Sequence, residues 1–221
     1  MIEVHPFIDY INSESNIKGG YIPANTRIII IGTFPPQKEY STKGVGFFFY
    51  SSERNHLWNR IDNICADVTN YLPLKKTAGK NYSETFIQNK QRKMDFCDKN
   101  QIGFIDVFAK VARRAQGSSS DEDLISFENI LENGSLKHVI QSHNVVRICC
   151  VYTLAYRELM DNFVKHGFEV KTSACEHSAN GLKHNINILD KQFEFVLLYP
   201  ATRSREKKEI KDSQYKYFLF S

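Results

Sequence analysis

Arg27 to Gly32 reads RIIIIG, and Thr33, Phe34, Pro35 and Pro36 follow it. Four consecutive isoleucines leave no polar side for water, so the run suits a strand buried on both faces. The glycine and the proline pair end it. Downstream, Arg54 to Leu72 carries Leu57, Trp58, Ile61, Ile64, Cys65 and Val68 at three- and four-residue spacing, which predicts a helix with one buried stripe. A second helix is expected near Ser83 to Lys99 and a strand at GFIDVF, Gly103 to Phe108. Gly117 to Ser120 reads as loop, Asp121 to Glu132 as a short helix and Val145 to Tyr152 as a strand. Leu154 to His166 continues as a helix. Phe168 to Ser173 alternates like an edge strand, Phe193 to Tyr199 is a buried one, and the tail from Arg205 is helical.

Strands separated by helical crossovers imply a three-layer α/β/α sandwich with a mostly parallel central sheet, here as a single domain over residues 1–221. In such sheets ligands sit outside the carboxyl ends of the strands, so the loops after Ile31, Phe108 and Tyr199 are the places to search. The composition, 42% hydrophobic and 24% charged, is that of a soluble globular chain rather than a disordered one. A net charge of +4 permits a polyanionic partner without requiring it. The five cysteines show no CxxC spacing, and neither an export signal nor a membrane span is visible. A reduced, cytoplasmic monomer with no membrane partner is expected.

The loop from Gly32 to Asn55 is long and rich in glycine, proline and aromatics, the profile of a functional loop. Its cluster Phe47 to Tyr50 reads either as core beneath an ordered loop or as a ring surface for a planar ligand. Asn55 is suited to cap the following helix, and its amide can equally face a pocket. Asp106, at a strand end, can orient water or steady a cation, or brace a loop by accepting from backbone amides or Arg113. In YPATRSR, Tyr199 to Arg205, Thr202 and Ser204 can donate to phosphate, while the alternative is a plain turn with solvated arginines. Lys75, Lys76, Lys80, Arg92, Lys93, Arg113, Arg114, Lys207 and Lys208 could supplement contact with a nucleic-acid backbone, but read mostly as solvated charge. Cys175, His177 and His184 fit no compact zinc spacing, and GTFPP lacks both GxxxxGK and GxGxxG, so no metal and no cofactor are expected.

The order of strand, GTFPP, aromatic cluster and RNHLW resembles the first motif of the uracil-DNA glycosylase superfamily, especially its hypoxanthine-DNA glycosylase and mismatch-specific branches. Ile102 to Ser120, Asn144 to Leu159 and Phe193 to Arg205 resemble later blocks of the same superfamily, in the expected order. The resemblance implies a uracil-DNA glycosylase-like fold and a monofunctional DNA N-glycosylase. Such an enzyme flips a deaminated or modified base (hypoxanthine, uracil or a modified pyrimidine) and leaves an abasic site in single- or double-stranded DNA. It assigns catalysis to Asn55 and base stacking to Tyr50; Asp106, from its place at the strand end, is expected to join the catalysis, and Gly32, Thr33, Phe34 and Phe49 the base pocket. Contact with DNA falls to Arg54, Arg113, Thr202, Arg203, Ser204 and Arg205.

Two departures matter. Phe34 stands where many members carry a water-orienting Asn or Asp; the hypoxanthine branch is also apolar there. The histidine that several branches place in the last motif is absent, which leaves the contact to the departing base unassigned. Phe34 also keeps open a DNA-binding protein of this fold with weak or no hydrolysis. An α/β enzyme acting on a small nucleoside-like ligand is the third reading. Salt-dependent DNA affinity without base release supports the second, and indifference to DNA the third.

Overall fold

A computed structural model describes residues 2–5, 20–35, 48–50, 57–64, 82–116, 118, 120–201 and 207–221. Its strands are β1 (Ile2–Val4), β2 (Gly20–Tyr21), β3 (Ile28–Gly32), β4 (Ile102–Asp106), β5 (Phe108–Arg113), β6 (Leu124–Asn129), β7 (Arg147–Cys150), β8 (Glu169–Ala174), β9 (Leu182–Ile188) and β10 (Lys191–Leu197). Its helices are α1 (Leu57–Ile64), α2 (Tyr82–Asn100), α3 (Ser135–Ser142), α4 (Thr153–Lys165) and α5 (Lys208–Phe220).

The isoleucine run lies inside a seven-stranded sheet of order β2-β4-β3-β7-β10-β9-β8. Alternate side chains go to opposite faces, as the pleat dictates. Ile29 and Ile31 join a cluster with Leu136, Val139 and Ile140 of α3 and Ala155, Leu159 and Phe163 of α4. Ile28 and Ile30 join Leu57, Trp58 and Ile61 of α1, Phe96 of α2, and Tyr215, Phe218 and Leu219 of α5. Of the stripe expected from spacing, Leu57, Trp58 and Ile61 are buried against the sheet and Ile64 is partly buried, while Cys65 and Val68 lie outside the described residues.

The sheet is mixed, which corrects the expectation of a mostly parallel one. Strands β4, β3, β7 and β10 run parallel, but β2 opposes β4 at one edge, and β9 and β8 are antiparallel at the other. The physical reason at the second edge is a two-residue turn. Leu189 and Asp190 have φ of 52° and 62°, the left-handed pair that folds a strand straight back on its neighbour.

Two other expectations change. Asp121 to Glu132 is not a helix: a 3-10 turn over Asp121–Asp123, with Ser120 capping the Glu122 amide, leads into β6. There the acidic run is overridden by the antiparallel ladder to β5, where Arg113 meets Leu124 and Ala112 meets Ile125. GFIDVF is likewise two strands. The chain leaves the large sheet after Asp106 and enters a three-stranded sheet of order β1-β5-β6 at Phe108. Asp106 thus stands at the corner between the two sheets. Among the described residues no helix is long and apolar enough to cross a membrane.

Candidate active site

The parallel strands β3 and β4 end side by side, with Gly32 paired to Asp106. The corner is sewn shut by backbone bonds from the Val107 amide to Gly32 O (2.9 Å) and from the Phe108 amide to Thr33 O (3.2 Å). A Cβ on Gly32 would stand 2.3 Å from Tyr50 Oη and 2.4 Å from Asp106 Oδ1. The missing side chain is what leaves room for both oxygens beside the strand end.

Tyr50 is held there at some cost. Its φ is 55°, in the left-handed region. Trp58 Nε1 donates to the carbonyl of the preceding Phe49 at 2.7 Å, which anchors the turn to α1. The Tyr50 ring lies 5.7 Å from Phe104 and 6.4 Å from Tyr152, both tilted. Although the residue as a whole is half-buried, its hydroxyl end is buried and has no hydrogen-bond partner among the described residues. Burial raises the phenol well above its usual range, with the charge of Asp106 adding to the effect. A buried, unsatisfied donor is uncommon and marks this corner as a candidate site.

Asp106 turns its other oxygen to His5, whose Nε2 lies 2.9 Å from Oδ2, with both side chains buried. His5 follows β1, which pairs with β5 and thereby carries the imidazole to the corner. Its ring meets Phe34 edge-on at 5.1 Å and stacks on Phe49 at 6.0 Å. On the other flank Thr33 Oγ1 donates to Asp121 Oδ1 at 2.9 Å. Burial raises the Asp121 carboxyl, the Thr33 bond opposes that, the charge of Asp106 adds to it, and Arg113 opposes it.

Of the residues expected from sequence, Gly32, Thr33, Phe34, Phe49, Tyr50 and Asp106 come together here. They differ in access. Phe34 and Phe49 are buried and form the floor, with Phe49 stacked on Phe104 at 5.7 Å, whereas Tyr50 is partly open. Arg113 lies beside the cluster, but its guanidinium is engaged. Nε donates to Glu3, one terminal nitrogen to Ser118 O at 2.8 Å, and the other to Pro35 O at 2.9 Å. Asn55, Arg54, Thr202, Arg203, Ser204 and Arg205 lie outside the described residues. His5 and Asp121 were not anticipated. They stand 101 and 88 positions from their partners, and no local pattern marks either.

The loop after β10 is held from behind. Gln214 Oε1 accepts from the Tyr199 amide at 2.6 Å, and the Tyr215 hydroxyl donates to Tyr199 O at 2.9 Å, so α5 fixes where the YPATRSR segment leaves the sheet. Among the described residues no cluster of His, Cys, Asp and Glu could hold a metal ion.

These features define an α/β protein with a carboxylate, a phenol and an imidazole gathered at the ligand end of a mixed sheet. No family model matches the chain, and no curated protein does. Among solved structures it is similar to a solution NMR structure from Methanosarcina acetivorans described as "a putative Uracil DNA glycosylase". Identity is 17%, coverage 91% of this chain and 96% of that one, and the TM-score 0.48.

Proposed function

We propose that the chain is a monofunctional, metal-independent DNA N-glycosylase acting on a flipped deaminated or modified base, with hypoxanthine or another modified base preferred to uracil. The observation that carries this reading is the close approach of both Tyr50 Oη and Asp106 Oδ1 to Gly32 at the strand end. It supplies what the reaction demands at the place where α/β sheets take ligands.

As the C1′–N bond breaks, its electron pair leaves with the base and positive charge develops on the sugar. Water then adds to C1′ and gives up a proton, and the departing base gains one. The Asp106 carboxylate is suited to orient that water and to steady the sugar cation. Phe34 is unable to do this; Asp106 offers the missing carboxylate from the neighbouring strand. Tyr50 offers a ring face for the base, and its unsatisfied hydroxyl suits an acceptor on the base edge. Asn55 is assigned a hydrogen bond to the base or water on the sequence motif, and Arg54, Thr202, Arg203, Ser204 and Arg205 contact with the DNA backbone. Arg113 is assigned to bracing the loops instead.

The test is incubation with single- and double-stranded oligonucleotides carrying hypoxanthine, uracil, xanthine or hydroxymethylated cytosine, followed by cleavage at abasic sites. Base release from any of them, lost on D106N, supports the proposal. DNA binding without release from any refutes hydrolysis and leaves the second reading, a DNA-binding protein of this fold, which Phe34 favours.

A further inference from the structure

We infer that His5 is a positioning residue for Asp106: it holds one carboxylate oxygen so that the other stays at the Gly32 strand end. The inference rests on the glycosylase reading for its functional meaning, but its geometry stands on the contacts themselves.

A carboxylate at a strand end usually serves to brace a loop, by accepting from nearby amides or an arginine. Among the described residues no backbone amide or arginine is seen bonding the Asp106 side chain. Arg113 gives its donors to Glu3, Ser118 and Pro35, and the side-chain bond described for Asp106 is the one to His5 at 2.9 Å. Its Oδ1 is left beside Gly32 and the unsatisfied Tyr50 hydroxyl. Accepting a hydrogen bond from Nε2 fixes the carboxylate plane, and the imidazole is itself clamped. The His5 amide donates to Ala109 O at 2.9 Å, Phe49 stacks on the ring, and Phe34 meets it edge-on. The role of the small β1-β5-β6 sheet is then plain. By pairing Glu3 with Val111 and Val4 with Lys110, it delivers an N-terminal imidazole to a carboxylate 101 residues away.

Two variants separate positioning from packing. H5Q keeps an N–H at comparable reach and discards the ring, while H5F keeps the ring and discards the N–H. Positioning predicts that H5F loses kcat on the order of a hundredfold with KM unchanged, the scale of a displaced reacting group. It also predicts that H5Q recovers most of the rate. The opposite order, with H5F near wild type and H5Q slow, overturns the inference, and so does equal activity in both.

If the unaltered protein releases no base, the glycosylase reading fails separately. The pair is then judged by nitrogen-15 NMR of the His5 ring. A proton on Nε2 whose signal moves on D106N upholds the pairing, and an unprotonated Nε2 overturns it.

Discussion

Replacing Gly32 by alanine puts the proposed site under direct stress. The new Cβ would stand 2.3 Å from Tyr50 Oη, 2.4 Å from Asp106 Oδ1 and 3.2 Å from Tyr50 Cζ. Unbonded heavy atoms settle near 3.5 Å, so each oxygen must retreat by roughly 1 Å. Neither belongs to a loose end. The Tyr50 backbone sits at φ 55° beside a carbonyl held by Trp58, and Asp106 is bound to buried His5. Overpacking of this kind costs about 1–3 kcal/mol of stability. A displacement of that size at a reacting group costs about a hundredfold in rate, which corresponds to roughly 2.7 kcal/mol of transition-state stabilisation. Urea unfolding and single-turnover base release measure the two losses. The G32A/Y50F double variant removes the closest contact and should be more stable than the sum of the two single effects predicts by at least about 1 kcal/mol, a coupling expected only of neighbours. G32A with wild-type stability and rate would refute the geometry, and so would effects that add to within about 0.5 kcal/mol.

Y50F alone should stabilise the free protein by about 1 kcal/mol in urea unfolding, because it removes a buried donor that has no partner, and should slow base release. N55A should lower turnover at least about tenfold, or roughly 1.4 kcal/mol, in a folded variant; unchanged turnover removes Asn55 from the mechanism. R113A should cost about 3 kcal/mol in the same unfolding assay, since it breaks a buried ion pair and frees two loops. It should leave the salt dependence of DNA binding unchanged, where a phosphate contact would lower the slope by about 1. Burial holds His184 below its ordinary 6.5, between the Thr172 hydroxyl at 2.8 Å and that of Tyr156. Below pH 6.5 the unfolded chain therefore takes up a proton that the folded chain refuses, and stability falls on acidification. H184Q should flatten that fall when unfolding is followed from about pH 8 to 5.

What could be read from the sequence follows from how far each signal travels along the chain. The Ile28–Gly32 strand was legible because burial on both faces demands an apolar residue at every position, and the two core clusters meet that demand. Strand β9 was not. Its LKHNINI places lysine, histidine and asparagine on one partly covered sheet, and its turn to β10 uses Leu189 and Asp190 without the glycine that usually marks left-handed positions. Missing that hairpin is what made the sheet look mostly parallel. β6 was obscured by the acids ahead of it, and its identity comes from β5, which no local window contains.

The same distinction runs through the site. Gly32, Tyr50 and Asp106 each sit in a stretch whose composition draws notice: a strand end, an aromatic loop, a carboxylate closing an apolar run. Their roles, however, depend on partners that composition does not reveal. A histidine after a three-residue strand is ordinary until β1 is laid on β5, and Asp121 looks like a helix start until Thr33 reaches it. The reading of Phe34 shows the consequence. Judged by position in a motif, an apolar ring there argues against hydrolysis. Judged in the fold, that ring packs against His5 beside Asp106, and in the proposed mechanism the carboxylate the motif lacks comes from the adjacent strand, one backbone pairing away at Gly32.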